Sequence, residues 1–228
     1  MPVNIQIYDT TLRDGAQAQG ISFSPEDKKD ILIKLDEFGA DFVEGGWPGS
    51  NPKDDEFFQK AGELRLENAR LVAFGSTRKH GSKASEDSNL LAISRSSAGW
   101  ACIFGKSWDF HVTDALRIPL EDNLEMIRDS VSFLRSTGMH VMFDAEHFFD
   151  GYRANREYAL SALAAAAEGG AEWLVLCDTN GGSMPEQVAE AVRDVVPRFG
   201  VPVGIHCHND SGLATACSLA AVDAGATM

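Results

Sequence analysis

The sequence predicts an α/β protein of the (β/α)8-barrel class. Three observations carry that expectation. Short β-rich runs alternate strictly with longer amphipathic runs. Strand starts recur about every 33 residues, near positions 4, 41, 69, 100, 140, 172 and 201. Polar, chemistry-bearing residues cluster just after many different strands, whereas a doubly wound sheet would gather them at one switch point.

The strand candidates are 4–8 (NIQIY), 41–44 (DFVE), 69–74 (ARLVAF), 100–104 (WACIF), 140–143 (HVMF), 172–177 (EWLVLC) and 201–206 (VPVGIH). Several are near-continuous apolar runs, as parallel strands buried on both faces require. Ser24-Pro25-Glu26-Asp27 is a helix start: a capping Ser, Pro at the first turn, then acids. That helix runs to about Phe38, and Gly39 ends it. Helices are expected over 51–66, 85–97, 120–137, 155–168, 184–199 and 212–224, and the Gly/Ser-rich loop 75–88 is the most mobile connection. These elements make seven βα units over residues 1–228, a catalytic barrel lacking its eighth strand and helix. Gly225-Ala226-Thr227-Met228 repeats the form of Gly39-Ala40-Asp41, which leads into the second strand. An eighth strand is expected to start there.

Composition narrows the partners. The 228 residues carry a formal charge of −14, which disfavours phosphate backbones and anionic membranes. No run approaches the 18 apolar residues of a membrane span, and the start MPVNIQIYDT resembles no export signal. The four cysteines form no CxxC pair and read as reduced thiols, which points to the cytoplasm.

Three groups of residues carry candidate chemistry. His206 and His208 end the seventh strand and share a face, with Cys207 on the other. Two imidazoles so placed can meet one metal ion, or can be polar residues of a surface loop. The first strand runs into Asp9-Thr10-Thr11-Leu12-Arg13-Asp14-Gly15-Ala16-Gln17. Asp14 there would add a hard oxygen ligand, and Arg13 a fixed positive charge for an enolate or carboxylate. The alternative is that TTLRDG is only a capped turn. Glu44, Asp144 with Glu146, and Asp178-Thr179-Asn180 end other strands. Each alone can be a structural ion pair or cap, but together they converge on one barrel mouth. Phe143 and Phe148 near Glu146 predict an apolar setting for that carboxylate. Arg78, Lys79 and Lys106 are candidate anion contacts or solvated loop residues.

D-T-T-L-R-D-G-x-Q after the first strand and H-C-H-N-D after the seventh resemble the metal-dependent Claisen-condensing barrels. That family holds the isopropylmalate, homocitrate and citramalate synthases, with hydroxymethylglutaryl-CoA lyase as a relative. The resemblance covers the whole chain. It implies that Asp14, His206 and His208 bind a divalent metal (Mn²⁺, Mg²⁺ or Zn²⁺) chelated by a 2-oxo acid, and that acetyl-CoA is the co-substrate. It implies that Arg13 stabilises enolate or alkoxide charge and that Glu44 pairs with it. Gln17, Asp144 and Thr179 match substrate contacts, and Glu146 matches the carboxylate implicated in methyl proton removal. GISFSPEDK, VEGGWPGSNPKD, FDAEHFFDGY and WLVLCDTNGG look most like the citramalate-forming branch. Ala16 and Glu44-Gly45-Gly46-Trp47-Pro48 depart from the Glu and E-x-G-F-P of isopropylmalate synthases. The acceptor implied is pyruvate, for isoleucine biosynthesis. Another 2-oxo acid, a lyase, or an inactive metal-binding fragment remain as alternatives. The family places further metal and acyl-CoA contacts and a regulatory domain after the seventh unit, and works as a homodimer. The chain is therefore expected to bind metal and to be weakly active or inactive alone.

Overall fold

Seven parallel strands, paired in sequence order, curl into most of a barrel. In the computed structural model, which describes residues 4–228, they are β1 (Tyr8–Asp9), β2 (Phe42–Gly46), β3 (Arg70–Ser76), β4 (Trp100–Lys106), β5 (His140–Glu146), β6 (Trp173–Asp178) and β7 (Val203–Cys207). The helices are α1 (Pro25–Phe38), α2 (Pro52–Ala61), α3 (Ser88–Arg95), α4 (Leu120–Ser136), α5 (Phe148–Ala154), α6 (Arg156–Gly169), α7 (Pro185–Val195) and α8 (Ala214–Asp223).

Strand alternation divides the apolar residues into two cores. One fills the space between sheet and helices and includes Leu32, Val43, Phe57, Ile103, Phe143, Leu174 and Val192. The other fills the lumen with Phe42, Val72, Phe74, Cys102, Met142, Trp173, Val175, Cys177 and Met228. The lumen core plugs the barrel below the cavity at the strands' C-terminal ends.

Residues 227–228, where an eighth strand was expected to start, form no strand of their own but hydrogen-bond on two sides. Thr227 N donates to Val203 O (2.9 Å), and Ile205 N donates to Met228 O (2.9 Å). On the other side Gln6 N donates to Thr227 O (2.8 Å). Residues 227–228 thus bridge β7 to the segment entering β1. That explains why β1 is shorter than the apolar run predicts. Gln6 pairs with Thr227, and Ile7 N is taken by the Asp41 carboxylate (2.8 Å), leaving Tyr8 and Asp9 to form the ladder.

Local signals placed most helix starts. Ser24 and Asp27 form a reciprocal capping box, and Gly39 ends α1 in the left-handed region at φ 89°. Other boundaries were overridden by side chains from elsewhere. α2 stops at Ala61 instead of reaching 66, and Asp36 accepts from the backbone of Glu67, Asn68 and Ala69 to aim the chain into β3. α3 begins after Asp87, whose Oδ1 accepts from Asn89 N and Leu90 N, so 84–86 form a separate turn. Three elements had no sequence expectation: a 3-10 turn at Gly15–Gln17, a π-turn at His111–Leu116, and α5. Gly151 lets α5 press on the neighbouring loop, where a Cβ would lie 2.5 Å from Ser107 O.

No described helix is long and apolar enough to cross a membrane. Ser24→Ala removes the acceptor for Asp27 N and should lower stability by about 1 kcal/mol in urea unfolding, with an unchanged m-value.

Candidate active site

The turn after β1 is both a capped turn and a presenter of side chains. Asp9 Oδ1 accepts from Thr11 N (2.9 Å), while Arg13 N and Gly15 N donate to Thr10 O (both 3.1 Å). Leu12 is fully buried, which anchors the turn and leaves Arg13 and Asp14 facing the barrel mouth.

Across the gap, β7 alternation sends His206 and His208 to the mouth and packs Cys207 outward against the helix-side core. Asp14 Oδ2 lies 3.3 Å from His206 Nε2 and 3.4 Å from His208 Nε2. The two imidazole rings are tilted, 5.1 Å apart between centroids. A carboxylate oxygen and two imidazole nitrogens within 4.8 Å of one another suit a divalent cation and leave its cavity side open. Among the described residues one other set converges in this way, Asp144, Cys177 and His206. Burial pushes the Cys177 thiol well above its ordinary pKa, and Asp144 adds to that, so it is a poor ligand beside the oxygen and nitrogen set.

Electrostatics fit the same assignment. A hydrogen bond with His206, against the opposing effect of burial, and the charge of Arg13 hold Asp14 down at about 2. Burial alone would lower the His206 pKa, but the bond to Asp14 and the charge of Asp144 raise it overall.

Arg13 is held rigidly. Its Nε donates to Glu44 Oε2 at 2.5 Å, and its guanidinium lies 3.8 Å from the Phe74 ring centroid. Glu44 is fully buried, and its second oxygen accepts from Tyr8 Oη at 2.8 Å. Burial raises the Glu44 pKa, and Arg13 counters it. Glu44 thus lies beneath the cavity as a support.

Arg13, Asp14, Gln17, Asp144, Glu146, Thr179, His206 and His208 line one cavity of about 250 Å³. The expected metal, substrate and catalytic residues therefore meet there, with Glu44 behind Arg13, whereas Asp178 and Asn180 are not in its lining. Thr179 Oγ1 accepts from His147 N (2.9 Å), which ties the β5 and β6 ends together. Glu146 corrects one expectation. Its carboxylate pairs with Lys106, its register partner on β4, instead of sitting among Phe143 and Phe148. Both phenylalanines are fully buried in the core on the helix side of the sheet. Two neighbouring candidates are structural. Asp178 accepts from Ser183 N and Oγ, and Arg78 pairs with Asp129. Sequence reasoning missed the apolar wall of Trp47, Phe74 and Phe104. Period-two alternation along β3 and β4 already turned both phenylalanines inward.

The chain is thus a parallel βα barrel with a carboxylate–imidazole cluster at the strands' C-terminal ends, an arrangement able to hold a divalent cation. The chain belongs to the HMGL-like family, which it matches over residues 4–228. It is 55% identical over 227 residues to the (R)-citramalate synthase of Aquifex aeolicus, covering 99% of this chain and 43% of that protein. Against the (R)-citramalate synthase of Sulfolobus acidocaldarius it is 52% identical, covering 98% and 43%. A probable 2-isopropylmalate synthase of Methanopyrus kandleri is 35% identical, covering 99% and 43%. The chain thus spans under half the length of these curated relatives. Among solved structures, Bacillus subtilis HMG-CoA lyase superposes with a TM-score of 0.81 at 19% identity, over 99% of this chain and 76% of that one. An Acinetobacter baumannii HMG-CoA lyase, solved with coenzyme A and 3-methylmalate, gives 0.75 at 19%, over 98% and 73%. Both structures share the fold.

Protons compete with metal for His206, whose raised pKa keeps the imidazolium present to higher pH. Metal affinity should be full above that pKa and fall as pH drops through it. Calorimetric titration should give Mn²⁺ binding at least about tenfold weaker near pH 6 than near pH 8. His206→Ala should abolish binding at both. Equal affinity in all four measurements would rule the cluster out.

Proposed function

We propose that the protein condenses acetyl-CoA with pyruvate, forming (R)-citramalate and free CoA. The observation that carries this reading is the convergence of Asp14, His206, His208, Arg13 and Glu146 on one cavity. Identities of 55% and 52% to (R)-citramalate synthases favour pyruvate as acceptor over the acceptors of the more distant synthases.

Asp14, His206 and His208 would hold a divalent ion such as Mn²⁺, Mg²⁺ or Zn²⁺, which when bound supplies Lewis-acid polarisation of the acceptor ketone. The chain's own groups do the rest. The thioester methyl is a weak acid, so its proton must go to a positioned base. Glu146 takes that proton, with the Lys106 ammonium beside it to hold the carboxylate in place. The methyl carbon then bonds to the ketone carbon, and the ketone π pair moves onto oxygen. Arg13, cationic throughout and locked by Glu44, faces that developing alkoxide without reorganising. Thr179 and Gln17 orient the acceptor by donating hydrogen bonds to its oxygens, and Asp144 lines the same cavity. Protonation of the alkoxide and attack of water on the thioester release CoA and the product. This second step makes the reaction irreversible. The family resemblance extends the reading to isoleucine biosynthesis in the cytoplasm and to a homodimer.

Product analysis with acetyl-CoA should show citramalate from pyruvate and no product from 2-oxoisovalerate or 2-oxoglutarate. Glu146→Gln keeps the shape and removes the base, so turnover should fall by about 10²-fold or more. A loss below about tenfold would remove Glu146 from the mechanism. Arg13→Lys keeps the charge and loses the Nε–H bond to Glu44, and kcat should drop by about 10²-fold with metal content unchanged.

A further inference from the structure

Two cavities meet at Trp47. One is the cavity of about 250 Å³ above Asp14 and the histidines. The other, about 300 Å³, lies between the turn after β1 and the start of α2, with Ala16, Ile21 and Phe23 in its wall beside Lys28, Lys53 and Asp54. Arg13, Gln17 and Trp47 line both and so form the partition. Arg13 is committed to Glu44, and Gln17 is polar, which leaves the indole as the apolar part of that partition.

The indole cannot swing aside. Its Nε1 donates to Asn89 Oδ1 at 2.6 Å, and Asn89 is itself fixed by donating to Ser76 O at 2.7 Å. Its ring meets Phe74 and Phe104 nearly edge-on, at 5.6 and 5.7 Å between centroids. The backbone is held as firmly. Trp47 N donates to Asp54 Oδ2 at 3.0 Å, next to a register shift at the end of β2. Gly46 adopts φ 145° there, and a Cβ would stand 2.7 Å from Asp54 Cγ, so only glycine allows this approach.

The cavity over the cluster is lined by polar groups, Arg13, Asp14 and Thr179 among them, and by the aromatic rings of Trp47, Phe74 and Phe104. A 2-oxo acid that presents its carboxylate and ketone to the polar groups turns its alkyl group toward the aromatic wall. We infer that Trp47 sets the size of the acceptor's side chain, by closing off the second cavity that a longer 2-oxo acid would need. This rests on the acceptor reading above. A methyl group stops against the indole, and a branched alkyl group would have to occupy the volume the indole fills. A rigid wall discriminates better than a mobile one, because its displacement costs the bonds to Asn89 and the contacts with both phenylalanines.

The test is calorimetry of pyruvate and 2-oxoisovalerate with the Mn²⁺-loaded protein, comparing wild type, Trp47→Leu and Trp47→Ala. Mn²⁺ affinity is measured first in each variant to confirm an intact site. The wild type should prefer pyruvate. In Trp47→Ala the affinity ratio should shift toward 2-oxoisovalerate by about tenfold or more, and Trp47→Leu should shift it in the same direction by less. Asn89→Ala, which frees the indole without shortening it, should also relax the ratio. An unchanged ratio in variants that bind Mn²⁺ normally overturns the role of Trp47 and leaves the acceptor reading standing. An equal loss of affinity for both acids also overturns it, since a merely structural residue would do that. A wild type that binds Mn²⁺ but no 2-oxo acid overturns the acceptor reading, and this inference with it.

Discussion

Glu44 is a carboxylate with no access to water, placed in the middle of a buried strand. Such a group is tolerable only if both oxygens are satisfied, and Arg13 and Tyr8 do this from the neighbouring first strand and its turn. Much else follows from that requirement. The pair fixes Arg13 in one position, and Asp14 follows Arg13 by one residue. The position of the turn thereby determines where the carboxylate meets His206 and His208. Removing one partner of a buried pair costs about 3–5 kcal/mol, because the other charge is left stranded. The same pair therefore serves stability and the placement of charge at the mouth.

The second constraint is the pleat. With a period of two, each strand gives one set of side chains to the helices and the other to the lumen. Low in the barrel the lumen set is apolar and fills the space. At the C-terminal ends it turns polar, and strands separated by many residues deliver Asp144, Glu146, His206 and His208 to one cavity. The aromatic wall belongs to the same pattern: Phe74 and Phe104 are stacked neighbours in the lumen, and Trp47 closes them from above.

Most of this was legible in the residues. The βα alternation, the Ser24 cap and the Gly39 stop specify local structure through local physics. The HxH spacing on β7 needs only the pleat to point both imidazoles one way. Less legible were the features decided by partners distant in the chain. Asp36 fixes residues 67–69, so the end of α2 depends on α1. Glu146 seemed set among phenylalanines when read along the chain. Across the sheet its neighbour is Lys106, forty residues away. Phe143 faces the helices because strand parity puts it on the opposite side from Glu146.

By itself the sequence determined the repeating unit, the order of the strands and the set of residues carrying chemistry, because propensity, capping and alternation act within a few residues of one another. Only the tertiary structure decided which of those groups are paired, which are supports and which stand open. Asp178 became a cap for Ser183, Glu44 a buried support, and Asp14 a member of the cluster with the two histidines. Those outcomes depend on burial and on through-space neighbours from other strands. Charge satisfaction in a low-dielectric interior is a property of three-dimensional proximity. The partition at Trp47 is of the same kind, since two cavities and the wall between them exist only once the strands have been brought side by side.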